Sequence, residues 1–314
     1  MPKILISEKV ADETITFLEN HNIEIKKGRG LDSKTICEDI VDCDAVMVRV
    51  MRIDREILNH APKLKVIAKH GVGCDSIDYD AAKEYGIPIV YSPGSNSISV
   101  AEHTIALMLL CSHQIKHASI EYSKGNYAVK DSLAITEITG KTLGLIGCGN
   151  VALHVARMAY QGFDMKIIGF DPYLNKEVPK YISFVDSVES LIAESDFISI
   201  HIPGNKENEN FFDKKKLMLM KNNAFLINTA RGDVVNTTDL LNSLQEKSIS
   251  GAGLDVCNPE PVPSECELFS RDDVLLTPHI GAASKESMVR MGLMAAEGVV
   301  AVLNGRTPKW IYKR

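Results

Sequence analysis

The chain has 314 residues, which at about 150 residues per domain points to two domains, enough to bury on the order of 75% of the unfolded surface without disulfide or metal staples. Its composition, 45% hydrophobic and 24% charged, is that of a soluble globular protein. A formal net charge of −6 argues against nucleic acid or an anionic membrane as the main partner.

The longest apolar stretches, such as Ile105–Cys111, are far too short to span a bilayer, and Glu8 arrives before any signal-peptide core could form. The seven cysteines, an odd number with no C-x-x-C pair, read as reduced thiols, and a cytoplasmic location is expected.

In chain order, the first hundred residues alternate short apolar runs with helical patterns. Strands are predicted at Lys3–Ser7, Ile23–Lys26, Ala45–Val50, Val66–Lys69 and Ile87–Tyr91. Helices are predicted at Asp12–Asn20, Ser33–Asp42 with Ser33 as N-cap, Asp54–His60 and Tyr79–Tyr85. That alternation implies a parallel sheet covered on both faces. A long buried helix is expected from Val100 to about Lys124, uninterrupted by Gly or Pro and ended by Gly125. It reads as an inter-domain connector. Six further strands follow, at Thr142–Ile146, Lys166–Phe170, Phe197–His201, Ala224–Asn228, Gly251–Val256 and Val274–Thr277. A last helix, Lys285–Leu303, is long enough to return to the first domain. The expected fold is therefore α/β, with two doubly wound parallel-sheet domains: residues 1–98 completed by 285–314, and residues 99–284.

The chemistry collects at strand ends. Gly147-Cys148-Gly149-Asn150-Val151-Ala152 follows one strand and opens a helix, and Asp171 tips the next strand 24 residues beyond Gly147. Side chains at Gly147 or Gly149 would keep the backbone from a pyrophosphate, and the helix N-terminus supplies N–H groups and positive dipole. Asp171 can accept both ribose hydroxyls of an adenosine and would repel a 2′-phosphate, which favours NAD over NADP. Pro203, Arg231, Asp255, Glu260 and His279 also lie at or just past predicted strand ends, the edge where doubly wound sheets bind ligands. An Arg, a carboxylate and a His suit the interconversion of a 2-keto and a 2-hydroxy acid. Arg231 can hold a substrate carboxylate, His279 can give or take the hydroxyl proton, and Glu260 can favour the imidazolium. His113 and His117 share a helix face without the zinc-protease pattern, and no metal is expected.

These pieces resemble the D-isomer-specific 2-hydroxyacid dehydrogenase family. The resemblance runs through Gly71-Val72-Gly73-Cys74-Asp75, Pro93-Gly94-Ser95-Asn96, Ala101-Glu102-His103, the Gly147–Ala152 turn, Phe170-Asp171-Pro172, Asn228-Thr229-Ala230-Arg231-Gly232, Leu254-Asp255-Val256, Pro259-Glu260-Pro261 and Thr277-Pro278-His279-Ile280-Gly281-Ala282. It implies a Rossmann NAD-binding domain, a flavodoxin-like substrate domain and a homodimer formed through the cofactor domain. It also implies Arg231, Glu260 and His279 as the catalytic trio. For the cofactor it implies Gly147, Gly149, Asn150, Val151, Asp171, Pro203, Thr229, Ala230, Asp255 and Gly281, with Asp255 near the nicotinamide amide. Val72, Gly73 and Asn96 are implied for the substrate. Two departures stand out: Ala152 where glycine is commoner, and Asn205 and Asn208 where threonines are usual.

Arg49 and the Lys69-His70-Gly71-Val72-Gly73 stretch resemble the phosphoglycerate dehydrogenase branch. Two cations at strand ends could face a second anionic group, so D-3-phosphoglycerate is the expected substrate, without the carboxy-terminal regulatory domain of many such enzymes. Reduction of hydroxypyruvate or glyoxylate is the alternative. A rival of another class is an NAD-sensing binding protein resembling the C-terminal binding protein corepressors.

Overall fold

The computed structural model describes residues 1–175 and 177–314. The chain forms two compact units, Met1–Asn96 with Ala282–Arg314, and Ser97–Gly281.

The first unit opens with β1 (Lys3–Ile6), α1 (Asp12–Asn20), β2 (Glu24–Lys27), α2 (Ser33–Ile40), β3 (Ala45–Val48), α3 (Arg55–Asn59), β4 (Val66–Lys69), α4 (Tyr79–Glu84) and β5 (Ile89–Val90). Its five strands are parallel, in the order β2-β1-β3-β4-β5. All four residues of β3 and of β4 are buried, as a sheet covered on both faces requires. The helices start on side-chain caps: Asp32, Asp54 and Asp78 accept from the N–H three residues on. Asp32 thus takes the role expected of Ser33, which lies inside the first turn.

The second unit comprises α5 (Ser97–Ser112), α6 (Ile115–Ser123), β6 (Thr142–Ile146), α7 (Asn150–Phe163), β7 (Lys166–Phe170), β8 (Ile182–Phe184), α8 (Val188–Glu194), β9 (Phe197–Ile200), α9 (Lys214–Leu217), β10 (Phe225–Asn228), α10 (Thr237–Gln245), β11 (Gly251–Leu254) and β12 (Val274–Leu276). Its sheet is parallel, in the order β12-β11-β10-β9-β6-β7-β8. The strand β8 adds a seventh to the six expected. Only one of its three residues, Ile182, is buried, so it left no apolar run to read.

The single helix expected from Val100 to Lys124 is instead two. Gln114 adopts the left-handed region at φ 50° and ends α5. The later chain supplies the reason: Thr136 N–H donates to the Ser112 carbonyl, and the Gln114 side chain accepts from Ala134 N–H. Those bonds replace the helical ones at the break. Further back, α5 lies close on the sheet because β11 carries glycine: a Cβ on Gly253 would stand 3.0 Å from Leu107 Cβ.

The last helix, α11 (Lys285–Leu303), belongs to the first unit. Its Ala295, Ala296, Val299 and Val300 pack on Ile4, Ile6, Met47, Val66, Ala68 and Val90, the face of the first sheet opposite α2 and α3. No helix among the described residues is long and apolar enough to cross a membrane.

Candidate functional site

In the second sheet the chain order reverses at β6, which lies between β7 and β9. Such a reversal splays the loops beyond the carboxyl ends of the strands and leaves a crevice there. The predicted cofactor and catalytic residues of this unit lie along that edge. His279 follows β12; Asp255 and Glu260 follow β11; Thr229, Ala230 and Arg231 follow β10; Pro203 follows β9; Gly147 follows β6; Asp171 follows β7.

At the switch point Gly147 has φ +85°, and a Cβ there would stand 2.9 Å from the His201 carbonyl oxygen. Gly149 caps α7 without a side-chain hydrogen bond, and a Cβ on it would meet no protein atom within 4 Å. The first turn, with Asn150 and Val151, therefore opens onto space and offers its N–H groups there, a fit for a pyrophosphate. Asp171 is fixed by two backbone donors, Cys148 N–H to Oδ2 at 2.8 Å and Tyr173 N–H to Oδ1 at 3.0 Å. An ionised carboxylate has about four acceptor sites, so two remain for ribose hydroxyls. These residues fit a dinucleotide.

The Arg231 loop is folded by Asn228, fully buried at the end of β10. Its amide donates to the Arg231 carbonyl at 2.8 Å and its oxygen accepts from Ala230 N–H at 3.0 Å. Thr229 shares a 2.9 Å hydroxyl contact with Thr104 of α5. The guanidinium donates to the Ala230 carbonyl at 2.7 Å. Glycine at 204, just past Pro203, is what lets Arg231 lie where it does: a Cβ there would come within 2.8 Å of Arg231 Cγ.

His279 Nδ1 lies 2.6 Å from Glu260 Oε1, with the two side chains 46% and 43% exposed. A carboxylate only accepts, so Nδ1 carries the proton and Nε2 is the nitrogen left to exchange one. His279 sits at φ 53°, and Asp255 holds it there. The buried Asp255 carboxylate, 3% exposed, accepts from Thr277 Oγ1 at 2.6 Å, Ile280 N–H at 2.9 Å and Gly281 N–H at 2.8 Å. Its carbonyl accepts the N–H of His279 at 2.9 Å. Burial alone would raise the Asp255 pKa, but the donors from His103, Thr277 and the backbone outweigh it and hold it at about 2.

Arg49, Lys69, Val72, Gly73 and Asn96 belong to the first unit. Glu8 caps the loop after β3 by accepting the N–H groups of Arg49, Val50 and Met51. One Arg49 Nη donates to the Lys9 carbonyl at 3.2 Å. Lys69 is buried at the end of β4, and its ammonium donates to the Arg49 carbonyl. Gly71, at φ +140°, turns the chain so that Val72 is exposed and Gly73 half-buried. Asn96 is half-buried at the end of the unit.

Asn228, Thr277, Ser99 and His103 carry the site loops without having been singled out as site residues. Two signals were available for Asn228: a polar residue closing an otherwise apolar strand, and its place at the head of the Asn228-Thr229-Ala230-Arg231-Gly232 run. No group of three or more His, Cys, Asp or Glu among the described residues could hold a metal.

Residues 105–281 match the family described as the NAD binding domain of D-isomer specific 2-hydroxyacid dehydrogenase. A D-3-phosphoglycerate dehydrogenase of Methanocaldococcus jannaschii is 38% identical over 308 residues, 97% of this chain and 58% of that protein, so the chain spans little more than half of that relative's length. A glyoxylate reductase of Thermococcus litoralis is 36% identical, over 98% of this chain and 95% of its own. A solved structure of a Thermus thermophilus protein superposes with a TM-score of 0.91 at 31% identity, covering 99% of this chain and 100% of that one.

Proposed function

We propose that this chain, which belongs to the D-isomer-specific 2-hydroxyacid dehydrogenase family, interconverts a small 2-keto acid and its 2-hydroxy acid with NAD. The observation that carries the reading is the 2.6 Å pair of His279 and Glu260 at the sheet edge that also holds Arg231 and the glycine turn. Bound NAD supplies the hydride acceptor or donor. Arg231 binds the substrate carboxylate and polarises the adjacent carbonyl. His279 delivers a proton from Nε2 to the carbonyl oxygen during reduction and takes it back during oxidation. Glu260 keeps the ring oriented and favours its charged form. Asp171 holds the adenosine ribose and repels a 2′-phosphate. Gly147, Gly149, Asn150 and Val151 leave room and donors for the pyrophosphate. Pro203, Thr229, Ala230, Asp255 and Gly281 line the rest of the cofactor path, and Val72, Gly73 and Asn96 hold the substrate carboxylate end.

For the substrate we read D-3-phosphoglycerate and 3-phosphohydroxypyruvate. Two cations, Arg49 and Lys69, stand at neighbouring strand ends of the first unit, and the phosphoglycerate dehydrogenase relatives support the reading. A specific observation favours glyoxylate or hydroxypyruvate instead: the Lys69 ammonium is turned onto the Arg49 carbonyl, and the glyoxylate reductase matches nearly end to end. The protein is read as a cytoplasmic homodimer. Its seven cysteines are free, and α6 and its surroundings expose Ile115, Ile120, Tyr122, Tyr127 and Ile135.

NADH oxidation across a panel of 2-keto acids tests both levels. Turnover on the order of 1–1000 per second supports the dehydrogenase; no turnover on any acid would favour a cofactor-sensing binding protein. Arg49→Ala should then raise KM for 3-phosphohydroxypyruvate roughly 10–150-fold, the worth of a charge-assisted hydrogen bond, and change that for glyoxylate little. Equal effects on both would leave the short acids as substrates.

A further inference from the structure

His103 of α5 has no part in the reaction as proposed, yet it reaches the loop that carries His279. Its Nε2 lies 2.9 Å from Thr277 Oγ1 and 3.3 Å from Asp255 Oδ1. Thr277 Oγ1 is 2.6 Å from that same Asp255 oxygen. The polarity of the chain follows from counting protons. A hydroxyl has one proton to give, and a carboxylate can only accept. The Thr277 proton therefore goes to Asp255, and Thr277 can only accept from His103, so His103 carries its proton on Nε2. One turn earlier on the same helix, Ser99 Oγ donates to the Gly281 carbonyl at 2.7 Å. Ser99 and His103 stand four residues apart on one helix face and grip the loop at its two ends, Gly281 and Thr277, with His279 midway.

We propose that His103 is a positioning residue: its Nε2–H, acting through the Thr277 hydroxyl and Asp255, holds residues 277–281 in the shape that presents His279 Nδ1 to Glu260. The inference rests on the proton-transfer role proposed for His279. A left-handed residue such as His279 costs roughly 1–2 kcal/mol of backbone strain and persists only where neighbours enforce it. The enforcing bonds converge on Asp255, and His103 is the side chain that donates into that hydrogen-bond chain from α5. The titratable groups bonded to the His279 ring and its loop among the described residues include Glu260, Asp255 and His103.

The test compares wild type with His103→Leu, which removes the donor and keeps bulk, and His103→Gln, whose amide reaches the position of Nε2. In protein labelled with imidazole-15N histidine, His279 should titrate at lower pH in the leucine variant, by about half a pH unit, because its loop holds the ring less well against Glu260. The glutamine variant should restore the wild-type titration. In turnover, the leucine variant should lose about tenfold in kcat with KM and NADH affinity within threefold, and the glutamine variant should recover to within threefold. Thermal unfolding of the leucine variant should stay near that of wild type. Should it fail to fold, His103→Asn, whose amide stops short of Thr277, takes its place. An unchanged His279 titration in the loss variant would overturn the proposal. Equal impairment of Leu and Gln with a lowered melting temperature would do so too, by making His103 a packing residue. The titration needs no substrate. If wild type turned over no keto acid while the titrations behaved as stated, the dehydrogenase reading would fail and the positioning role would stand.

Discussion

Glycine at 232, between Arg231 and Asp233, shows how little slack the site has. A Cβ there would lie 2.0 Å from the Cys257 carbonyl carbon and oxygen, and 2.7 Å from Asn258 N. These are backbone atoms, so no rotamer change relieves the overlap. Either the Arg231 loop or the strand end leading to Glu260 must move. Gly232→Ala should therefore cost about 1–3 kcal/mol of stability, the usual cost of overpacking, and lower kcat/KM by about 10²-fold or more, since a displacement near 1 Å at the reacting groups is worth that much. Urea unfolding and steady-state kinetics read the two effects separately; a variant with wild-type kcat/KM would show that the loops are not rigidly coupled. At this scale the sequence was legible where chemistry is distinctive. Arg231, Glu260 and His279 are reactive residue types at strand ends. Thr277, Ser99 and His103 were not legible as site residues, because their importance lies in hydrogen bonds to partners 22 to 182 residues away in the chain. Nothing local marks such a partner.

At the scale of elements, long periodic or fully apolar segments were legible and short ones were not. The four-residue strands β3, β4, β9, β10 and β11 are buried throughout and stood out as apolar runs. The three-residue β8, with one buried residue, did not. The break between α5 and α6 escaped because its cause lies about twenty residues further on, in the bonds from Ala134 and Thr136. In α11, Gly298 has a packing reason. A Cβ there would stand 2.8 Å from Val90 Cβ and Cγ2 on β5. Alanine would gain about 1 kcal/mol of helix propensity, but forcing a packed helix off its sheet costs typically 1–3 kcal/mol. The clash wins, and Gly298→Ala should destabilise by about 1 kcal/mol in urea unfolding. A stabilised variant would mean that α11 lies more loosely on β5 than its contacts indicate.

For the whole molecule, two histidines that the fold keeps uncharged, the buried His70 and the half-buried His201, set the response to acid. Burial, then the charge of Arg49, pushes the His70 pKa down to about 4, and burial pushes that of His201 down to about 3. An unfolded chain has histidines near 6.5 and binds protons that the folded state refuses. Stability from this source is complete above about pH 6.5 and is lost as pH falls below it; His70 alone contributes about 2 kcal/mol of that loss by pH 5. Asp255, held at about 2, adds a second loss between about pH 4 and 2, as the unfolded carboxylate protonates first. Urea midpoints measured from pH 8 to 3 should hold level to about 7, decline from 6.5 and keep falling below 4, where Asp255 takes over as His70 protonates in the folded state; a level profile down to pH 5 would contradict the depressed pKa values of both imidazoles. The two sheets and their covering helices were legible at this scale because apolar runs and helical patterns alternate along nearly the whole chain. The way α11 belongs to the first unit bears on how the protein is made. Residues 1–96 leave the ribosome with one face of their sheet still lacking Ala295, Ala296, Val299 and Val300, and about 185 residues of the other unit must be translated before those arrive. At roughly 5–20 residues per second the interval is about 10–40 s, far longer than collapse of a small chain. For that time Ile4, Ile6, Met47, Val66 and Val90, covered from that side only by α1 through residues such as Leu18, form a half-finished apolar face on a nascent chain, so the first unit is the last to be finished and the one that most needs shielding during synthesis.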